Sequence, residues 1–343
     1  MASISASTFK PTFGLSNRHL QTLVGPLLAG VRYHPQHWQE LVLSDGDFVE
    51  LAWFGAPADK VLLLLHGLEG SYQSHYAQRL IHCYTQSGWQ VVVAHFRSCG
   101  RRLNRSARSY HSGSSDDLAE VITHLPSQAS QSLYAIGFSL GGNVLLKWLG
   151  ENPKQTMLSR AMAVSVPLRL DVCASAIDNG FSRFYQQHLI GLLKKKMHAK
   201  RKLGLLPMSE QSLAKLAAVK NFWQFDQQVT APLNGFASAD DYYQRASSIS
   251  FLTHIATPTL ILQALDDPFM NHNVLPAEDE LSPNVQLELS KTGGHVGFVE
   301  SYRLYQRCFL ARRSLAFFNA TDVSQAVDKP ADSFHTDLSK DNF

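Results

Sequence analysis

The sequence predicts an α/β protein with a mostly parallel central sheet, helices on both of its faces and an inserted helical cap. Three observations carry this reading. Unbroken apolar runs, such as VLLLLHG at 61–67 and WQVVVAHF at 89–96, fit strands buried on both faces. Stretches with helical spacing alternate with these runs, the pattern of parallel strands joined by crossover helices. Between the run ending at Leu168 and the one starting near Thr259 lies far more chain than the roughly 10–15 residues a single crossover helix needs.

Taken in order, QELVLS and FVELAWF within 39–54 read as two strands around the turn Asp45-Gly46-Asp47, because Asp-Gly between alternating apolar residues is a hairpin signal. Residues 75–87 carry Tyr76, Leu80, Ile81 and Tyr84 on one side of a helix. A loop rich in Arg, Ser and Gly follows the strand at 89–96. A helix then starts near Asp116, with Ser114 or Ser115 as its N-cap. SLYAIGFSLGGNVLLKWLG at 132–150 reads as strand, sharp turn and helix. AMAVSVPL at 161–168, TPTLILQAL at 257–265 and NVQLELS at 284–290 supply further strands, and a helix near 301–318 closes the fold. The domain plan is an N-terminal arm at 1–38, a core at 39–169 and 250–320, a cap at 170–249 and a polar tail at 321–343.

Composition narrows the function. The chain has 343 residues, of which 45% are hydrophobic, enough for a sizeable core. A net charge of +3 with only 17% charged residues asks for no nucleic-acid partner. Four scattered cysteines, with no C-x-x-C pair, suggest free thiols in a reducing compartment. The first residues lack the basic start and apolar run of a signal peptide, and no stretch approaches the ~18 apolar residues of a membrane span. The expectation is a cytoplasmic enzyme.

Gly137-Phe138-Ser139-Leu140-Gly141 matches G-x-S-x-G between a strand and a helix, the context in which this motif means a nucleophile elbow. The sharp turn lifts the serine Oγ above the sheet, and glycines two residues either side avoid collision. The helix starting behind Ser139 aims its positive dipole end at the reaction centre, which places the N–H of Leu140 to hold an oxyanion. The second oxyanion donor belongs to the loop after the first buried strand and is assigned to the N–H of Leu68; His66 beside it is read as a brace for that loop. Of 15 histidines, His295 stands apart: it lies in Thr292-Gly293-Gly294-His295-Val296-Gly297-Phe298, directly after the last strand. Imidazole is suited to taking and returning a proton near neutral pH. The carboxylate that orients it should follow the preceding strand, where Asp266 and Asp267 are adjacent. Asp267 is favoured by its distance from the strand and by Pro268, which stiffens the turn; Asp266 is the alternative. The order Ser139, Asp267, His295 is the chain order of the α/β-hydrolase fold.

Several blocks together resemble the YheT-like branch of the α/β-hydrolase superfamily, the bacterial relatives of eukaryotic ABHD1/2/3-type esterases. They are Asn17-Arg18-His19-Leu20-Gln21-Thr22-Leu23, His66-Gly67-Leu68-Glu69-Gly70-Ser71, Asn104-Arg105 with Tyr110-His111-Ser112-Gly113, and Gly137 to Asn143. Phe225-Asp226 with Thr230-Ala231-Pro232 and Gly235-Phe236 is similar to a family block in the cap. The resemblance implies a triad on Ser139, Asp267 and His295, and a carboxylic ester hydrolase acting on acylglycerols or other acyl esters. Phe96-Arg97-Ser98-Cys99-Gly100 departs from the family's more glycine-rich loop, so the resemblance carries no contact over to Arg97.

The function expected is a serine esterase that works through an acyl-enzyme and needs no metal or organic cofactor. The same residues serve acyl transfer, thioester or amide hydrolysis. Serine at the elbow, not aspartate, argues against a dehalogenase or epoxide hydrolase, and the intact Ser, His and Asp argue against a non-catalytic scaffold. His34 and His37 have a metal-like spacing but no acidic partner. The run from Lys194 to Lys202 in the cap reads first as a solvated face and second as a transient contact with anionic membranes, given Leu189, Ile190, Leu192 and Leu193 beside it.

Overall fold

A strand that is apolar at every position needs cover on both faces. The computed structural model, which describes residues 3–125 and 131–320, provides that cover. Along the chain run β1 (Ser3–Ala6), α1 (Arg18–Ala29), β2 (His37–Val42), β3 (Phe48–Phe54), β4 (Lys60–Leu65), α2 (His75–Gln86), β5 (Gln90–His95), α3 (Ser115–His124), β6 (Ser132–Phe138), α4 (Leu140–Glu151) and β7 (Leu158–Val164). Then come α5 (Leu170–Ala176), α6 (Ser182–Lys202), α7 (Glu210–Ala218), α8 (Phe222–Phe225), α9 (Ala231–Leu233), α10 (Ala239–Ala246), β8 (Thr259–Ala264), β9 (Val285–Ser290) and α11 (Phe309–Asn319).

The nine strands of the described residues form one sheet in the order β1-β9-β8-β7-β6-β4-β5-β3-β2. Only β2–β3 and β3–β5 pair antiparallel. Side chains alternate across β4 as the pleat requires. Leu62 and Leu64 pack with Leu80 and Ile81 of α2 and Phe317 of α11, whereas Leu63 and Leu65 pack with Val121 of α3 and Val144 and Leu145 of α4. The chain is therefore an α/β sheet covered on both faces, with the hairpin turning at Gly46, where φ is 80°.

Several elements differ from the sequence expectation. The arm contributes a strand, β1, which adds parallel to β9 at the sheet edge. Its SISA sequence has no alternation to announce it; the open edge of β9 selects it. β7 begins at Leu158 and ends at Val164, earlier than 161–168, because the chain turns out of the sheet at Ser165, where φ is 53°. The closing helix begins at Phe309, not near 301. Ser114 takes the N-cap position of α3, but its Oγ accepts from the His111 N–H and not from the helix. The expected tail at 321–343 lies outside the described residues.

Helices α5–α10 fill the interval between β7 and β8. Ile190, Leu193 and Met197 of α6 pack on Leu216, Phe225 and Val229, giving this segment a small core of its own. Asn143 of α4 ties it to the sheet: its amide donates to Ser112 O (2.8 Å) and Ala246 O (2.7 Å), and its Oδ1 accepts from Ser248 N (2.9 Å).

Candidate active site

The β6–α4 junction turns so tightly that Ser139 sits at φ 50°, ψ −119°, a conformation that costs an L-residue on the order of 1–3 kcal/mol. The Ser139 N–H donates to Val164 O (2.8 Å). A Cβ on Gly137 would lie 2.5 Å from Gly141 O, and one on Gly141 would lie 2.5 Å from His66 O. Only glycine fits at either place. Ser139 thus stands at the carboxyl edge of the sheet, where the loops after β4, β8 and β9 also converge.

Those loops bring the expected residues together. His295 Nε2 is 3.0 Å from Ser139 Oγ, and His295 Nδ1 is 2.8 Å from Asp267 Oδ2. Asp267 is 2% exposed, and its other oxygen accepts from the Phe269 N–H (2.8 Å). Asp266 faces elsewhere: its Oδ1 accepts from the Gly294 N–H (2.9 Å), while its Oδ2 is buried without a partner among the described residues. Burial pushes the Asp266 carboxyl above its usual range.

The loop after β4 leaves one N–H without an acceptor. Gly67 N donates to Tyr76 OH (2.8 Å) and Glu69 N to Tyr110 OH (2.8 Å), and both tyrosines are buried. The Leu68 N–H between them has no protein acceptor among the described residues, and Leu68 lines the same cavity as Ser139. Leu140 is the first residue of α4, so its N–H also lacks an intrahelical acceptor. Two donors therefore flank the serine. His66 braces this region: Phe96 N donates to its Nε2 (3.2 Å) and its Nδ1 donates to Gly67 O (2.7 Å). Burial, with His95 beside it, pushes its pKa down to about 3, which keeps it neutral.

Sequence reasoning missed what holds His295. Asn17 caps α1 by accepting from the His19 and Leu20 N–H groups (2.9 and 3.3 Å). That helix then grips the His295 loop. Thr22 Oγ1 accepts from His295 N (3.0 Å), Gln21 Oε1 accepts from Val299 N (2.7 Å), Gln21 Nε2 donates to Val299 O (3.1 Å), and Arg18 donates to Asp267 O (2.9 Å). The block at 17–23 stood out by resemblance but carried no role. Phe269 was also missed: its ring stacks on His295 at 3.9 Å between centroids, 8° from parallel.

Other residues turn out to be structural. Arg97 is 1% exposed and pairs with Asp117 (2.6 Å), Asp45 (2.8 Å) and Asp47 (3.1 Å), away from the cavity. The basic run divides. Lys196, its side chain 9% exposed, pairs with Glu69 (2.6 Å), and the buried Lys200 donates to Asn104 Oδ1 (3.0 Å) and Arg108 O (2.9 Å). Lys194 donates to Ala217 O (2.9 Å) and Val219 O (2.7 Å) at the end of α7. Lys195 and Lys202 remain exposed. The solvated-face reading fails for Lys196 and Lys200, because helical spacing turns them toward the loop at 97–111.

Ser139 and His295 open on a cavity of about 1050 Å³, counting space continuous with solvent. Leu170, Leu193, Met197, Phe222, Phe225 and Val229 make its walls mostly apolar. A second space that Ser139 and His295 also line is bounded by Thr22, Pro26, His75, Tyr76, Tyr185 and His188. A serine–imidazole pair at the meeting point of two spaces suits a substrate cleaved into two parts.

Fold and site together define an α/β hydrolase. The profile of the alpha/beta hydrolase fold matches residues 60–302, and the chain belongs to that family. Within it the chain belongs to the YheT-like branch of esterase-type enzymes. It is 41% identical over 319 residues to YheT of Escherichia coli (strain K12), covering 90% of this chain and 92% of YheT. Human phospholipase ABHD3 is 28% identical over 92% of this chain and 80% of its own length. Among solved structures, the α/β hydrolase GrgF from Penicillium has a TM-score of 0.55 at 16% identity, covering 83% of this chain and 98% of its own. The Exiguobacterium antarcticum esterase EaEST has 0.53 at 17% identity, covering 82% and 99%. These two likenesses concern the fold alone. No helix among the described residues is long and apolar enough to cross a membrane.

Proposed function

We propose that the chain hydrolyses carboxylic esters of acyl chains, acylglycerols included, through an acyl-enzyme on Ser139. The hydrogen-bonded line from Ser139 Oγ through His295 to Asp267 carries the reading. Ser139 attacks the ester carbonyl while His295 Nε2 takes its proton. Asp267 holds the Nδ1–H tautomer and stabilises the imidazolium. The N–H groups of Leu68 and Leu140 stabilise the oxyanion. The alcohol leaves with the proton from His295, and water then attacks the acyl-enzyme with His295 again as base. These steps use side chains and backbone dipoles only. Helices α5–α10 act as the cap that admits substrate, since they supply much of the cavity wall.

The test is a panel of acyl esters of graded length with fluorophosphonate labelling in parallel. Stoichiometric labelling of Ser139 together with turnover of at least one ester is expected. An unlabelled, folded protein would refute the mechanism. Product analysis with added alcohols separates hydrolysis from acyl transfer, which uses the same groups.

A transient contact with anionic lipid surfaces extends this reading. Phe181 and Phe184 are 55% and 62% exposed beside Tyr185 at the second space, and Lys195 and Lys202 lie farther along the same helix. The double variant Lys195→Gln/Lys202→Gln is expected to bind phosphatidylglycerol vesicles several-fold more weakly at low salt. The difference should shrink at about 0.15 M salt, where screening acts over ~8 Å. Equal vesicle binding by both proteins at low salt would return these lysines to a purely solvated face.

A further inference from the structure

Asp226 has no part in the mechanism above, yet it lines the cavity that holds Ser139. It is 9% exposed in a largely apolar wall. It begins a π-helical turn, Asp226–Thr230, between α8 and α9, and such turns gather at functional sites. Thr230 Oγ1 donates to its Oδ1 (2.6 Å) and Tyr243 OH to its Oδ2 (2.7 Å). Each carboxylate oxygen accepts two hydrogen bonds, so both retain capacity. Burial pushes the Asp226 carboxyl up to about 6, against the two donated bonds that pull it down. A carboxylate kept in such a wall is disfavoured unless something uses it, and a neutral amide would brace the turn with less desolvation.

The neighbouring groups indicate what uses it. Tyr242 lines the same cavity, but its hydroxyl is engaged by Ser112: the oxygen accepts from Ser112 N (3.0 Å), and the Ser112 side chain bonds it as well. Asn234, also in the wall, donates to Thr230 O (2.8 Å), and its Oδ1 is without a partner among the described residues. Spare acceptor capacity on Asp226 and Asn234 in one cavity matches a hydroxyl group, which can give a hydrogen bond to a buried acceptor without bringing a charge into an apolar wall. These acceptors match an ammonium less well, because it carries a charge into that wall and because the Lys196 ammonium, paired with Glu69, already borders the same cavity.

We propose that Asp226 is the specificity-determining acceptor of this cavity, taking a hydrogen bond from a hydroxyl on the non-reacting part of the ester. The preferred substrates are then hydroxylated esters over plain alkyl ones. This rests on the esterase reading and adds the class of group recognised. It also gives the Phe225-Asp226 block a task that the triad does not.

The experiment compares kcat/KM for matched pairs: glycerol monobutyrate against propyl butyrate, and the ethyl esters of hydroxylated against plain hexanoic acid. The wild type is expected to favour the hydroxylated member of at least one pair by about tenfold or more, since a site built for a hydroxyl rejects its absence. Asp226→Leu should bring that ratio to near unity, and Asp226→Asn, closer in shape, should lower it severalfold. Tyr243→Phe keeps the carboxylate and removes one brace, and should retain the ratio. Fluorophosphonate labelling of each variant shows that Ser139 remains assembled. A wild-type ratio near one in both pairs, an unchanged ratio in both Asp226 variants, or an equal collapse in Tyr243→Phe overturns the proposal while leaving the esterase intact. Loss of labelling and turnover in the wild type itself overturns the esterase reading instead.

Discussion

Ser139→Ala is expected to abolish ester hydrolysis and fluorophosphonate labelling while the protein stays folded. The serine Oγ is the only group that the elbow presents to His295 Nε2, at 3.0 Å. Removing it leaves no atom to form the acyl bond, so the loss should be on the order of 10⁶-fold in turnover, as in serine proteases. A residue of catalysis can survive, because the Leu68 and Leu140 N–H groups still polarise a bound carbonyl. Stability should change by no more than about 1 kcal/mol. Alanine has a Cβ and keeps the strained φ of 50°, and the oxygen removed borders a cavity and supports no packing. Burst kinetics, labelling and a thermal melt on the same preparation test this. Near-wild-type turnover in a folded Ala variant would sink the nucleophile assignment.

The adjacent aspartates should separate nearly as sharply. Asp267→Asn leaves Ser139 and the elbow in place. It replaces the carboxylate that holds His295 Nδ1–H at 2.8 Å with a group that cannot stabilise the imidazolium. Turnover should fall by up to ~10⁴-fold, with a much smaller change in substrate binding. Asp266→Asn should act differently. Its Oδ1 accepts from Gly294 N (2.9 Å), which an amide oxygen can still do, and its Oδ2 has no partner among the described residues, so the amide removes a buried charge without breaking a bond. Turnover within about tenfold of wild type and a stability change of about 1 kcal/mol or less are expected. Saturating-ester kinetics on the two variants decide the matter. An active Asp267→Asn beside a crippled Asp266→Asn would move the orienting role by one residue.

How far the site could be read in advance depends on how local its determinants are. The elbow was legible because strand, glycine-flanked serine and helix are contiguous in the chain, and backbone sterics within those few residues dictate the turn. His295 and Asp267 were legible one step less directly, through their positions after two successive buried strands. The choice between Asp266 and Asp267 rested on spacing from the strand and on Pro268 stiffening the turn. Leu68 followed from the glycine-rich loop, but the reason its N–H is left over, two tyrosine hydroxyls occupying its neighbours, involves residues 9 and 41 positions away from their partners.

The amino-acid sequence by itself determined the α/β class, the alternation of buried strands with amphipathic helices, and the order Ser139, Asp267, His295. Each of these rests on periodicity or on turn chemistry, and both act over a few residues. Tertiary structure alone decided the rest. It made SISA an edge strand by offering the open side of β9, and it made Asn17–Leu23 the clamp on His295 through hydrogen bonds between residues as much as 278 positions apart. It also split one basic run into buried and exposed lysines, and it set Asp226 in the wall of the cavity beside Ser139. In each case the deciding energy is burial or pairing against a partner remote in the chain. A lysine or an aspartate carries no mark in its own neighbourhood of whether that partner is water or protein.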